Sequence, residues 1–391
     1  MKNIITTLLQ GFSPLKNTNF RIYAGGQFIS LLGTWLQVTA QGWLVWELTG
    51  SEAALGVVTM LNTLPLLLLG PWAGVWADRL DRRKLLIWTQ VGAMLLAFMM
   101  AALVQFELVQ LWHVFALAAG LGIVNALDLP AQQTFLGDLT GMGEVRKAIG
   151  LNAAMLQFSR VLGPVFAGFL IATIGNAPAF WLNGLSFLAV IASLMAVRAN
   201  QTRRATSNAR PLSQIMDAFR FLQTQPRLQD MFTFMALMTF FYWSIVLNLL
   251  PVVASKVLGG DATTLGTLQA ASGAGAMVGL LLVVPLANTL HRTGLVLGAS
   301  ALWVGVWLFG FAASQVVWLS FLTLFTATLA APVIFTMAIG TTQVIAPPDM
   351  RARLISLFTM ISFGLQPVAA LAVGVLAENF GVQPIILLNA V

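Results

Sequence analysis

Two charged side chains stand deep inside apolar segments of this sequence, where a charge needs a partner or a purpose. Asp128 and Arg160 each lie within a long hydrophobic run. Either charge alone near the centre of a bilayer costs about 2.5–3.5 kcal/mol on insertion scales. One interpretation is that Asp128 takes up and releases a proton, while Arg160 controls that proton or holds an anionic substrate. The alternative is a static ion pair, because neighbouring antiparallel helices would bring the two side chains to a similar depth.

Polar side chains also recur at helical spacing in three of these runs. Such a stripe either lines a water-filled cavity or hydrogen-bonds neighbouring helices. In the first run three long amides share the stripe, which favours a cavity. The predicted cavity residues are Gln27, Ser30, Thr34, Gln37 and Gln41 in the first run, Asn125 and Gln132 in the fourth, and Gln366 in the eleventh.

Two tryptophans lie deep in the first and seventh runs. Trp35 and Trp243 are far from the predicted ends of their segments, where tryptophan usually marks the membrane interface. Deep tryptophans more often pack than bind. The ligand-binding interpretation is that these two indoles stack on an aromatic or macrocyclic substrate.

The elements that position these residues are membrane helices. Of the 391 residues, 58% are hydrophobic and only 8% are charged, which is too little charge for the surface of a soluble protein. There is no cysteine, and the two histidines lack ligand spacing, so the sequence predicts no metal and no cofactor. It also lacks a phosphate-binding loop and an activated nucleophile, so neither ATP hydrolysis nor another enzyme activity is predicted.

Helix length and charge set the predicted topology. A helix needs about 20 apolar residues to cross a bilayer, which predicts eleven spans near 20–46, 53–77, 85–105, 110–137, 147–172, 178–198, 229–255, 262–288, 294–313, 316–345 and 352–377. Basic residues cluster in alternate gaps, and Lys256 is the one basic residue of the acidic gaps. This pattern places both native termini in the cytoplasm of a protein of the inner (plasma) membrane. The net charge of +7 therefore reflects topology and predicts no nucleic-acid partner.

The two halves of the sequence repeat. With a shift of 210 residues, Asp78 and Arg82 fall on Asn288 and Arg292. We therefore predict an N-terminal six-helix bundle over 1–198, a cytoplasmic linker with an amphipathic helix over 199–227, and a C-terminal bundle over 228–391. The counterpart of the sixth span begins near Pro384, so we expect the sequence to end inside a twelfth helix, which is cut short.

The turn between the second and third spans carries the most specific motif. It is glycine-rich and then charged almost continuously from Asp78 to Lys84. It resembles the cytoplasmic loop signature of the major facilitator superfamily, with Asp81 where that signature has glycine. The resemblance implies an all-α membrane protein with two six-helix bundles related by a parallel repeat. It also implies a conformational gate formed by Gly74, Asp78, Arg79, Arg82 and Arg83, with Asn288 and Arg292 as the degraded second copy.

A second motif points to the direction of transport. Gly163, Pro164 and Gly168 resemble the helix-5 antiporter motif of exporters in this superfamily. Together with the sequence around Asp128, the motif resembles the branch that contains macrolide-efflux proteins and the enterobactin exporter. The resemblance implies proton-coupled export of small amphipathic molecules, such as drugs, macrolides or siderophore-like compounds, by alternating access. Helices one and seven line the cavity in this superfamily.

Other functions stay open at this point. A lysophospholipid flippase or a solute symporter would have the same fold, and a membrane sensor or scaffold would bind a ligand without moving it. The expected partners are a small-molecule substrate, protons and the lipid bilayer. Nothing in the sequence requires more than a monomer.

Overall fold

The structure is a computed structural model that describes residues 12–141, 143–197, 211–290, 292–347 and 350–390. Within these ranges the chain is helical and contains no strand. The helices are α1 Thr18–Thr49, α2 Glu52–Arg79, α3 Arg82–Gln105, α4 Leu111–Thr140, α5 Val145–Ile174, α6 Ala177–Ala196, α7 Pro211–Gln223, α8 Pro226–Val257, α9 Ala262–Asn288, α10 Thr293–Ala313, α11 Val317–Ile345, α12 Arg351–Gly364 continued by Gln366–Phe380, and α13 Val382–Ala390.

Ten of the described helices are long and apolar enough to cross a membrane. They coincide with ten of the eleven predicted spans. The remaining span is α1, which is 32 residues long. Its glutamines lower its mean hydropathy, so length, rather than hydropathy, identifies it as a spanning helix.

Short polar sequences set the helix ends. The Asn17 side chain accepts hydrogen bonds from the backbone N–H groups that open α1, and Gly50 ends that helix at a φ of 58°, which favours glycine. Asp81 accepts from the Lys84 backbone N–H at 3.0 Å and caps α3. The aspartate that replaces the signature glycine therefore starts the third helix.

The helices form two halves, α1 to α6 and α8 to α13. In the first half α6 packs on α1 and α3, and α4 packs on α2. In the second half α11 packs on α9 and α10. The halves meet where α5 packs on α9 and where α2 packs on α12. We call the end where α1 joins α2 the Glu52 end, and the opposite end, where α2 joins α3, the Arg82 end.

The apolar core joins the halves at the Glu52 end. One buried cluster contains Val45 and Leu55 of the first half together with Val252 and Leu265 of the second. A separate cluster around Phe135 fills the Arg82 end of the first half alone. The two halves thus share a core at one end of the molecule.

Glycines allow the closest approach between the halves, and they occur in symmetric pairs. A Cβ on Gly168 would lie 2.7 Å from the backbone oxygen of Ala262, and a Cβ on Gly374 would lie 2.7 Å from that of Glu52. The repeat relates these contacts, since shifts of 206 and 210 residues carry Gly168 onto Gly374 and Glu52 onto Ala262.

A second pair of contacts obeys the same shifts. A Cβ on Gly56 would lie 2.5 Å from the backbone oxygen of Ala370, and one on Gly266 would collide with the backbone oxygen of Pro164. Because only glycine fits at such crossings, the duplicated glycines allow both pairs of helices to close at the Glu52 end. The structure therefore shows the parallel repeat in its packing as well as in its sequence.

Candidate functional site

Arg160 lies at the middle of the molecule, between the two halves. Its guanidinium carbon is 5.6 Å from the ring centre of Trp35 on α1 and 5.4 Å from that of Trp243 on α8. Both distances are within the range of a cation–π contact. A shift of 208 residues carries Trp35 onto Trp243, so two equivalent tryptophans, one from each half, flank a single arginine.

Arg160 and Trp35 border a small open cleft. Its walls come from α1, α5, α8 and α9, so both halves contribute. Gln269 of α9 lies in the wall, and its side-chain oxygen accepts a hydrogen bond from Thr39 Oγ1 at 2.5 Å. The full lining is Trp35, Val38, Arg160, Pro164, Val246, Leu250, Gln269 and Ser272.

Irregular backbone positions Trp243. Residues Thr239–Trp243 form a π-helical turn inside α8, and such turns widen a helix and often occur at functional sites. A second small cavity is lined by Trp243 and other residues of α8 together with residues of α11. Trp243 therefore contacts Arg160 and also borders this second cavity.

The glycines of the helix-5 motif serve close packing. A Cβ on Gly163 would collide with Trp35 Cβ, so Gly163 lets α5 press against α1 beside the cleft. Gly168 forms the crossing with α9 described above. Pro164 lines the cleft itself. The motif thus brings α5 close to one helix of each half.

Asp128 occupies a different place. One carboxylate oxygen accepts hydrogen bonds from Thr89 Oγ1 at 2.5 Å and from Gln90 Nε2 at 2.9 Å, both on α3. Both donors are buried. Asp128 is therefore held within the first half, at the contact between α3 and α4.

The static ion pair between Asp128 and Arg160, one of the two alternatives, is not formed in this conformation. Among the residues that the structure describes, Asp128 bonds to α3, and Arg160 forms no salt bridge and packs between the tryptophans. Similar depth does not bring the two together, because α4 and α5 turn these side chains toward different neighbours.

The polar stripe of α1 divides between two roles. Gln37 is buried, and its side-chain oxygen accepts from Asn183 Nδ2 of α6 at 2.7 Å. This is the helix-packing alternative, so the cavity interpretation is wrong for Gln37 in this conformation. The buried side chains of Gln27, Ser30 and Gln41 do not border the two cavities described here.

The other predicted cavity residues are dispersed. Thr34 donates to the backbone oxygen of Ser30 within α1. Gln132 donates to the Tyr23 hydroxyl at 3.2 Å. Asn125 is exposed on α4, and Gln366 is half-buried on α12. Of the predicted cavity set, the structure thus brings together Trp35 and Trp243.

The charged turn ties the first half together at the Arg82 end. Arg82 Nη1 lies 2.9 Å from Asp138 Oδ2, and both side chains are about 6% exposed. Arg83 donates to the backbone oxygens of Leu194 and Met195 at the end of α6, where a cation also suits the helix dipole.

The second-copy residues Asn288 and Arg292 are exposed. The surroundings of Gly74 and the side chains of Asp78 and Arg79 lie outside the described part of the structure.

Sequence reasoning missed a charged contact between the halves at the Glu52 end. Lys256 Nζ lies 2.8 Å from Oε1 of buried Glu52 and 4.9 Å from the ring centre of Trp46. Beside them, Glu378 of α12 accepts from Ser51 Oγ at 2.6 Å and from the Ala53 backbone N–H at 3.0 Å. The available signal was Lys256, a lone basic residue among acidic gaps. We call this group the Glu52–Lys256 latch.

Comparisons with known proteins agree with this architecture. A family model described as transmembrane secretion effector, from the major facilitator superfamily, matches residues 9–391. The staphyloferrin A transporter of Staphylococcus aureus is 24% identical over 93% of this chain and 90% of its own length. The multidrug efflux pump Tap of Mycolicibacterium fortuitum is 24% identical over 90% of this chain and 87% of its own.

Solved structures show the same fold. The nucleoside transporter NupG superposes with a TM-score of 0.75 at 14% identity, covering 95% of each chain. A bacterial homologue of the human lysosomal transporter Spinster gives a TM-score of 0.74 at 14% identity, covering 94% of this chain and 84% of its own. The chain is thus a multi-pass membrane transporter and not an enzyme, and it belongs to the transmembrane secretion effector family of the major facilitator superfamily.

Proposed function

We propose that this protein exports small amphipathic molecules by alternating access, in exchange for protons. The observation that carries the proposal is the cleft around Arg160, which draws its walls from both halves and lies between helices that close at the Glu52 end. A site shared by two halves is exposed to one side or the other when the halves rock. The name of one relative, the multidrug efflux pump Tap, also supports export.

The Glu52 end is the gate that opens for release in this proposal. The symmetric glycine crossings and the Glu52–Lys256 latch must separate there. The turn around Arg82 forms the opposite gate, where its described bonds to Asp138, Leu194 and Met195 stay within one half. With basic gaps facing the cytoplasm, the Glu52 end faces outward across the inner membrane, and a monomer suffices for the cycle.

Asp128 is the candidate proton site. It is a carboxyl within a predicted membrane span, and its described donors are the neutral side chains of Thr89 and Gln90. Such a residue can release a proton when water reaches it and can take one up when the site closes. Gln132, one turn further along α4, connects this region to Tyr23 of α1. Movement of α1 against α4 would therefore alter the surroundings of Asp128.

The proposal is tested by transport in proteoliposomes that contain the full chain. Two fluorescent probes of opposite charge, ethidium and fluorescein, are offered under imposed pH gradients. Exchange with protons predicts that at least one probe accumulates when the interior is acidic, and that a protonophore abolishes this. Accumulation only with an alkaline interior would instead indicate a symporter. Probe binding without flux would indicate a sensor, and movement of labelled lysophospholipid alone would indicate a flippase.

Asp128→Asn isolates the coupling step. We expect this variant to insert normally and to lose accumulation that depends on the pH gradient. Asp217→Asn is the matched control, because Asp217 lies on α7 in a partly exposed pair with Arg353. Unchanged pH dependence in Asp128→Asn would refute the proton role while leaving transport itself intact.

A further inference from the structure

Arg160 carries a positive charge that the described structure does not neutralise. Its guanidinium contacts the faces of Trp35 and Trp243, and among the described residues no carboxylate pairs with it. Aromatic faces stabilise a desolvated cation by about 2 kcal/mol, which falls short of what an ion pair with good geometry provides. Asp128, the partner in the ion-pair alternative, is held by α3. The cleft is therefore left with a fixed cation.

A hydrogen-bonding group beside the cation also lacks a partner. Ser272 of α9 lines the cleft and is 2% exposed, and its hydroxyl has no hydrogen-bond partner among the described residues. An unsatisfied buried hydroxyl costs about 1–3 kcal/mol. The Gln269 oxygen accepts from Thr39, so the other polar group of that amide is a donor. The cleft thus offers one cation and two uncharged donors.

The repeat shows that the charge of Arg160 is not one of the features that the two halves share. The same shift of 206 residues that relates the glycine crossings carries Arg160 onto Gln366. The second half therefore has an uncharged side chain at the equivalent position. Since Trp35 and Trp243 are equivalent and Arg160 has no charged equivalent, helix packing alone does not require its charge.

We propose that the cleft binds amphipathic carboxylates: the carboxylate pairs with Arg160 and accepts from Ser272, and a planar apolar body lies against Trp35. A guanidinium and a carboxylate form two parallel hydrogen bonds, which favours this anion. The walls from Val38, Pro164, Val246 and Leu250 accept the apolar body. This inference names the substrate class of the proposed exporter and rests on that function.

The test compares 2-naphthoate with 2-naphthamide, two ligands of nearly equal shape that differ in charge. Binding to the purified full chain is measured by isothermal titration calorimetry. We expect wild type to bind the carboxylate at least 10-fold more tightly than the amide. Arg160→Gln, which installs the residue found in the second half, should equalise the two while keeping amide binding. Arg160→Lys should keep part of the preference, and Ser272→Ala should weaken only carboxylate binding, by about 3- to 10-fold.

A surface variant serves as the control for the loss of positive charge. Arg292→Gln removes an exposed positive charge and should leave both affinities unchanged. Equal affinity of wild type for the two ligands, binding of neither, or a preference that survives in Arg160→Gln would overturn the inference. If Arg160→Gln does not fold, the wild-type comparison and Arg160→Lys still decide.

The two proposals fail separately. Gradient-driven movement of ethidium by a protein without carboxylate preference would leave the exporter standing and remove the substrate class. A binding preference for the carboxylate, without flux of either dye or of 2-naphthoate, would leave the carboxylate site standing and remove the exporter.

Discussion

The two halves of this transporter share a framework and differ in their charges. The crossings at Gly168 and Gly374 are equivalent, and so are Trp35 and Trp243. Arg160 has no such counterpart, since it corresponds to Gln366 in the second half. Duplication has therefore preserved the helix crossings that close the molecule, whereas the charges that we propose act on substrate and protons lie in the first half.

The same contrast appears at other charged positions. Asp128 corresponds to Ile334 with a shift of 206 residues, and Asp138, the partner of Arg82, corresponds to Val344, which is 82% exposed. The second copy of the charged turn is thus degraded in structure as well as in sequence. Paired substitutions at equivalent positions can test the contrast directly.

The largest difference is expected between Arg82→Ala and Arg292→Ala. Loss of Arg82 leaves Asp138 as an uncompensated buried charge, which costs about 3–5 kcal/mol of unfolding free energy. Arg292 is exposed, so its loss should change stability by no more than about 0.5 kcal/mol. Denaturant unfolding of both variants in detergent measures the difference. Equal losses would show that the two turns are still equivalent.

The glycine crossings should behave alike in the two halves. Gly266→Val and Gly56→Val each place a side chain against the backbone of the opposing helix. We expect each to disfavour closure at the Glu52 end by about 1–3 kcal/mol. Spin labels on cysteines at Leu108 and Val316, in a chain that has no native cysteine, should report a longer distance.

Gly298→Val is the matched control for these crossings, because no neighbouring atom lies within 4 Å of its added Cβ. An unchanged label distance in both crossing variants would mean that they do not govern closure. A change in only one variant would show that the two crossings are not equivalent.

A smaller effect is expected from the Glu52–Lys256 latch, which exists in one copy. The repeat carries Leu48 onto Lys256 with a shift of 208 residues. Lys256 is about half exposed, so Lys256→Ala should favour opening by about 0.2–1 kcal/mol. The same spin labels and a double-mutant cycle with Glu52→Gln measure this coupling. Additive effects of the two substitutions would remove the latch from the gating mechanism.

The smallest effect concerns pH at the start of α5. Hydrogen bonds from Ser13 and from Lys147 hold the pKa of Glu144 below its ordinary value. A depressed pKa stabilises the fold above the unfolded pKa, and this stabilisation is lost as the pH falls through the folded pKa. Glu144 corresponds to Met350, so the equivalent position of the second half has no carboxyl.

Glu144→Gln tests that pH effect. The variant should flatten the pH dependence of the melting temperature between about pH 6 and pH 3.5. Arg292→Gln, which removes an exposed charge of the second half, should leave that part of the profile unchanged. A wild-type slope in Glu144→Gln would assign the dependence to other carboxyls.

Much of the fold could be predicted because apolar runs and turn charges are local signals. The predicted spans 262–288 and 294–313 agree with α9 and α10 to within one residue. The same signals identified Arg160, Trp35 and Trp243 one at a time. They did not predict that these residues meet, because each lies on a different helix. For the same reason the sequence marked Lys256 as unusual but did not predict that it pairs with Glu52.

The sequence by itself determined the membrane class, the helices, the repeat and which residues carry charge, because each follows from hydropathy or from matching positions. Only the tertiary structure decided that Asp128 turns to α3, that Gln37 bonds to Asn183, and that Arg160 lies between two tryptophans. Helical spacing shows which side chains share a face. The rotation of each helix, which decides what that face touches, is set by packing against its neighbours.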